Sequence, residues 1–135
     1  MTIHREFSRS FDELKNIVEF THDYFDKESI DVGLRHTVDL CVEELFVNMV
    51  SYNTETDAKI RIDIGPHEHG IEVSLTDFDV DRFDPRDAKP VDVDAPLESR
   101  TPGGLGLYLV LKMADAIHYE YRNRTSKITI ILDRK

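Results

Sequence analysis

Cysteine is almost missing from this chain, with Cys41 standing alone. A single thiol excludes an internal disulfide and fits a reducing compartment, so a cytoplasmic location is expected. Among apolar neighbours at helical spacing, Cys41 reads as a small core residue rather than a nucleophile. Long hydrophobic runs are also missing: none approaches the ~18 residues of a membrane span. The opening Met-Thr-Ile-His-Arg-Glu has no signal-peptide hydrophobic region. Positive charge is scarce, 17 Lys and Arg against 27 Asp and Glu, for a net charge of -10. That balance argues against nucleic acid as a direct partner, because phosphate backbones are bound by basic surfaces.

What is present suits one globular domain spanning 1–135. The chain is 40% hydrophobic and 33% charged, ordinary values at a length that supports a real core. Half of the net charge lies between Asp77 and Glu98. Asp77, Asp79, Asp81, Asp84, Asp87, Asp92, Asp94 and Glu98 there face only Arg82, Arg86 and Lys89. An imbalance of this kind marks a solvated loop or a surface that meets a basic partner.

The pattern of apolar residues divides the chain into elements. Thr2 to Arg9 suits a short strand. Ser10-Phe-Asp-Glu13 reads as a capping box opening a helix with Leu14, Ile17, Val18, Phe20, Tyr24 and Phe25 at helical spacing. After a break at Lys27 to Ile30, Ser29 or Asp31 is available to cap a second helix. That helix runs to about Tyr52, with Leu34, Val38, Cys41, Leu45, Met49 and Tyr52 along one face. Ala58, Ile60, Ile62 and Ile64 alternate with polar residues. So do Ile71, Val73 and Leu75 beyond the turn Gly65-Pro-His-Glu-His-Gly70, which makes two strands. Phe78 to Pro102 is long, acidic and holds four prolines, as expected of a lid at about 78–102. A buried helix follows from Gly103-Gly-Leu-Gly106 to about Asp115. Strands at about 117–124 and 127–133, joined by a Thr125-Ser126 turn, close the chain. This order predicts an α+β two-layer sandwich, a mixed and mostly antiparallel sheet covered on one face by about three helices.

Three polar features sit awkwardly in this plan. Asn48 falls inside the apolar stripe of the second helix, and Glu44 borders it one turn earlier. Asp77 continues the buried alternation of Leu75. Glycines at a helix start let backbone amides approach an anion, where the helix dipole favours phosphate. An Asn carbonyl oxygen suits Mg2+, and Asp77 could accept a hydrogen bond from an exocyclic amine. Together they describe a Mg-nucleotide pocket under a lid. Taken singly, each has a plainer reading: polar groups satisfied by nearby backbone, a strand-end carboxylate capping a loop, a turn before a helix. His67 and His69, a His-x-His in a turn without companion ligands, read as solvent-exposed.

In order and spacing these segments resemble the GHKL ATPase superfamily of gyrase, heat-shock chaperones and sensor histidine kinases. Glu44-Leu-Phe-Val-Asn48-Met-Val-Ser-Tyr52 is similar to the N-box. Asp77-Phe-Asp-Val-Asp-Arg-Phe-Asp-Pro85 is similar to the first glycine box, and Gly103-Gly-Leu-Gly-Leu-Tyr-Leu-Val110 to the second. The short chain, Phe83-Asp84-Pro85 and Lys112-Met-Ala-Asp-Ala116 resemble the bacterial anti-sigma-factor serine/threonine kinases. The resemblance implies the histidine kinase-like ATPase fold and an ATP- and Mg2+-dependent kinase. Glu44 would be the general base and Asn48 would hold Mg2+. Asp77 would read the adenine amino group. Gly103, Gly104 and Gly106 would cradle the phosphates, with Leu105 in the same turn. Arg100, with Lys112, would meet the triphosphate. The γ-phosphoryl group would pass to a Ser or Thr of a STAS-type anti-anti-sigma protein. The same domain, a homodimer in that family, would sequester a sigma factor.

The chain departs from the family pattern in two places. Asp79 and Asp81 stand where the first box has glycine, and Lys127-Ile128 stands where Gly-Thr opens the last strand, leaving Thr129 facing away. These departures motivate a rival expectation, a non-catalytic binding module that retains the fold to hold its partners. A detached histidine-kinase catalytic domain is a third reading, disfavoured because no phospho-accepting histidine helix precedes the fold.

Overall fold

The computed structural model describes residues 1–52, 54, 56–81 and 110–133. Ile3–Phe7 forms β1, followed by a short 3-10 helix, Phe11–Glu13. Two helices come next, α1 at Leu14–Lys27 and α2 at Val32–Tyr52. The remaining strands are β2 at Ile60–His67, β3 at Gly70–Phe78, β4 at Ala116–Arg122 and β5 at Thr125–Asp133. Residues 110–113 are helical, within the helix expected from Gly103 to Asp115. The glycine turn (Gly103, Gly104, Leu105 and Gly106), Arg100 and residues 82–102 of the expected lid lie outside the described residues.

Local chemistry explains where the elements begin and end. Ser10 Oγ accepts from the Asp12 amide at 3.1 Å and so caps the 3-10 helix, but one residue short of the Glu13 amide that a capping box would use. Glu13, however, accepts from the Ser8 amide at 2.8 Å. The Ser10 amide it would have met already donates to the Ser8 carbonyl at 2.9 Å. α1 stops where Ser29 turns left-handed (φ 52). Asp31, not Ser29, caps α2, its Oδ2 accepting from the Leu34 amide at 3.1 Å.

The sheet has the order β1-β2-β3-β5-β4, and all of its pairings are antiparallel. The parallel pairing that a mixed sheet would need is thus missing among the described residues. β2 extends through Gly65 and Pro66 to His67, further than the sequence suggests. Pro66 is tolerated because β1 pairs only as far as Ile64, so the amide that proline lacks has no ladder partner to lose. Gly70 must be glycine, since a Cβ there would lie 2.0 Å from the Leu132 carbonyl oxygen.

The largest correction concerns the last hairpin. The turn is Asn123-Arg124, both left-handed (φ 51 and 58), as a two-residue hairpin turn requires. Thr125 and Ser126, expected in the turn, are the first residues of β5. The inner face of the sheet then carries Ile60, Ile62, Ile64, Ile71, Val73, Leu75, Ile128, Ile130 and Leu132, all buried against the helices. α1 contributes Ile17, Phe20, Tyr24 and Phe25. α2 contributes Leu34, Val38, Cys41, Leu45 and Met49, as its stripe predicts. Tyr52 does not continue the stripe; it is 45% exposed in the last turn, beyond the end of the core at Met49 and Val50.

Candidate functional site

The site is built at one end of the inner layer, where α2 and β3 finish. Asn48 is on the inner face of α2 and only 5% exposed, and Glu44 is half-buried one turn earlier. Burial pushes the Glu44 carboxyl above its ordinary value, and the neighbouring Glu43 charge pushes in the same direction. A carboxylate raised in this way is a better proton acceptor than an exposed one, as general-base chemistry requires. Cys41, on the same helix, is inert as expected. It is fully buried, and desolvation first, then Glu44, lifts its thiol to about 12.

Asp77 lies where the alternation of β3 places it, facing inward and 0% exposed. A carboxylate so placed needs a cation, and Arg9 supplies it. The guanidinium donates through Nη1 to Asp77 Oδ1 and through Nη2 to Oδ2 at 3.2 Å. Nη2 also donates to the Met49 carbonyl at 2.9 Å and Nη1 to the Ala58 carbonyl at 3.4 Å. One side chain therefore ties the end of β3 to the end of α2. It brings Asp77 beside the residue that follows Asn48.

Arg9 is a site residue that the sequence reading missed. A carboxylate expected on a buried face calls for a basic partner, but local spacing does not say which residue provides it. A second omission follows from the misplaced turn. With β5 starting at Thr125, Ser126 is the register partner of Asp77 and is buried on the same face. Thr129 faces the opposite side of the sheet, as expected, where its hydroxyl bonds Ser74 at 2.8 Å. The small hydroxyl residue beside Asp77 is accordingly Ser126.

The two aspartates in the glycine positions are held outside this arrangement. Asp79 adopts φ 57, the left-handed conformation for which glycine is the usual residue. Its side chain is turned to Arg124, whose Nε donates to Asp79 Oδ1 at 3.0 Å while Nη1 donates to Asp81 Oδ1 at 2.8 Å. The bulk and charge that aspartate adds at 79 are spent on an exposed pair, not on the inner face.

These residues fit the ligands implied for them. A buried amide oxygen one turn from a carboxylate is an oxygen-donor set suited to Mg2+. A carboxylate has about four lone-pair sites, so bonds from Arg9 do not by themselves exclude an amine donor at Asp77. Lys112 is exposed in the helical segment 110–113. Among the described residues, no helix is long and apolar enough to cross a membrane.

Comparison with known proteins bears on the whole domain. No curated protein matches the chain. Among solved structures, the chain is similar to the RsbU and RsbW domains of Rv1364c from Mycobacterium tuberculosis. The TM-score is 0.69 at 11% sequence identity, with 100% of this chain and 33% of that chain covered. This chain thus spans about a third of that protein's crystallised length, and the likeness is one of fold. The family described as "Histidine kinase-like ATPase domain" matches residues 7–132, from the last residue of β1 nearly to the end of β5. With this match over almost its whole length, the chain belongs to the histidine kinase-like ATPase domain family.

Proposed function

We propose that the chain binds Mg-ATP and passes the γ-phosphoryl group to a Ser or Thr of a STAS-type anti-anti-sigma protein. In this reading it also sequesters a sigma factor, acting in the cytoplasm as a homodimer. The observation that carries the proposal is the convergence of Asn48, Glu44 and the fully buried Asp77 at one end of the inner layer. Membership of the ATPase family supports nucleotide as the ligand, and a fold shared with a structure containing an RsbW domain supports the anti-sigma branch.

The residues then take separate roles. Asp77 accepts the amino group of adenine, with the Ser126 hydroxyl beside it. Asn48 offers its carbonyl oxygen to Mg2+, which would offset the charge that develops on the phosphates during transfer. Glu44, its proton affinity raised by burial, receives the proton of the attacking hydroxyl. Gly103, Gly104, Leu105 and Gly106 cradle the phosphates, and Arg100 meets the triphosphate.

A second reading, a binding module without catalysis, is favoured by one observation: both oxygens of Asp77 already receive hydrogen bonds from Arg9. ATP titrations with and without Mg2+, for the wild type and Glu44→Ala, separate the two. Micromolar to submillimolar binding that needs Mg2+ supports the kinase. Absence of binding at millimolar ATP removes it. Binding without phosphorylation of any STAS protein leaves an ATPase.

A further inference from the structure

The chain leaves β3 beside the tip of the last hairpin, and backbone and side-chain hydrogen bonds join the two. The Val80 amide donates to the Arg124 carbonyl at 3.0 Å, and the Tyr121 hydroxyl donates to the Val80 carbonyl at 2.8 Å. The Arg124 side chain adds its bonds to Asp79 Oδ1 and Asp81 Oδ1, with Nη2 reaching the Asp79 carbonyl at 3.4 Å. Three consecutive residues, Asp79 to Asp81, are thereby fixed to one turn, starting two residues after Asp77. Within that run only Val80 is buried, anchoring the centre while both aspartates face the guanidinium.

Two problems are solved at once by this arrangement. Asp79 sits in a left-handed conformation that side chains other than glycine rarely adopt, and such conformations persist only where the surroundings enforce them. Asp79 and Asp81 also add two exposed negative charges two and four residues beyond Asp77, and uncompensated negative charge disfavours an anionic ligand. Arg124 holds the strained residue through its side chain and its carbonyl, and it offsets one of the two negative charges.

We propose that Arg124 is a positioning residue for nucleotide. It acts through Asp79 and Asp81, doing with a charged clamp what glycine does by conformational freedom, and it turns both carboxylates toward itself. This role rests on the nucleotide reading given above.

The test measures the dissociation constant for Mg-ATP in the wild type, Arg124→Gln, Arg124→Lys, Asp79→Gly and the double variant Asp79→Gly/Arg124→Gln. Arg124→Gln should weaken binding about fivefold, the scale of a partly exposed charged network. Lysine, which cannot bridge two carboxylates in a planar fork, should recover only part of the loss. Asp79→Gly should bind at least as well as wild type. In that background Arg124→Gln should cost less than twofold, because glycine no longer needs the clamp. Thermal melts of each variant confirm that it is folded. If wild type and Arg124→Gln bind ATP equally, or if Asp79→Gly gives no rescue, the positioning role is overturned while the nucleotide reading stands. If the wild type binds no ATP at millimolar concentration, the nucleotide reading falls and this role with it.

Discussion

Removal of Arg9 should be among the most damaging single changes available to this domain. Its side chain is 9% exposed and that of Asp77 is 0% exposed, so Arg9→Ala leaves a carboxylate inside the protein without its cation. Breaking a buried ion pair from one side costs about 3–5 kcal/mol. The carbonyls of Met49 and Ala58 lose a donor as well, although water entering the vacated space would satisfy them. Against a total stability of about 5–15 kcal/mol for a domain, the change approaches unfolding. With a urea slope of about 2 kcal/mol/M, the midpoint should drop by roughly 1.5–2.5 M at neutral pH. The double variant Arg9→Met/Asp77→Leu removes both charges and should recover most of the loss, since apolar replacements of a buried pair are often neutral or better. A midpoint for Arg9→Ala within about 0.3 M of wild type would refute the claim that Arg9 holds Asp77 in place.

Three further outcomes test individual residues. Glu44→Gln should keep ATP binding and lose phosphoryl transfer. In the wild type, the acid limb of the rate profile should lie above the ordinary 4.5, because burial and Glu43 raise the Glu44 carboxyl; transfer therefore fails as pH falls through that raised value, and a limb at or below 4.5 contradicts the assignment. Ser126→Ala should weaken ATP binding several-fold while Thr129→Ala, on the other side of the sheet, leaves it intact; equal effects would show that the two faces had been wrongly assigned. Cys41 should resist alkylation in the folded protein at pH 8 and react once urea unfolds it, since its thiol is buried and raised to about 12. Rapid labelling without unfolding would contradict that burial.

The sequence carried the regular elements well because each obeys a single local period. The stripe from Leu34 to Met49, the alternation of Ile60, Ile62 and Ile64, and the inward direction of Asp77 needed no information from elsewhere in the chain. Two kinds of feature were hidden. The last hairpin turns at Asn123-Arg124, and an arginine at φ 58 is not one of the residues by which such turns are recognised. Moving that turn by two residues carries Thr125 and Ser126 into β5, and Ser126 was missed for that reason. Arg9 and Arg124 were hidden differently: each pairs with an acid more than forty residues away, and no spacing rule reaches across that distance. The aspartates in glycine positions looked obstructive in sequence because their partner could not be seen.

The strand order also decides what this domain presents to other chains. Among the described residues β1 and β4 are the two outer strands of the sheet, so their outer edges are where a strand of another chain would add. Along β1 the middle residues His4, Arg5 and Glu6 are exposed, and along β4 so are His118, Glu120 and Arg122. An incoming strand would have to align against ionic and imidazole side chains of mixed sign, which disfavours indiscriminate edge-to-edge growth. The strands with the most buried apolar residues, β2, β3 and β5, which would favour fibrils if exposed, occupy the three interior places. Protection against aggregation is thus a property of the order in which the strands are laid down.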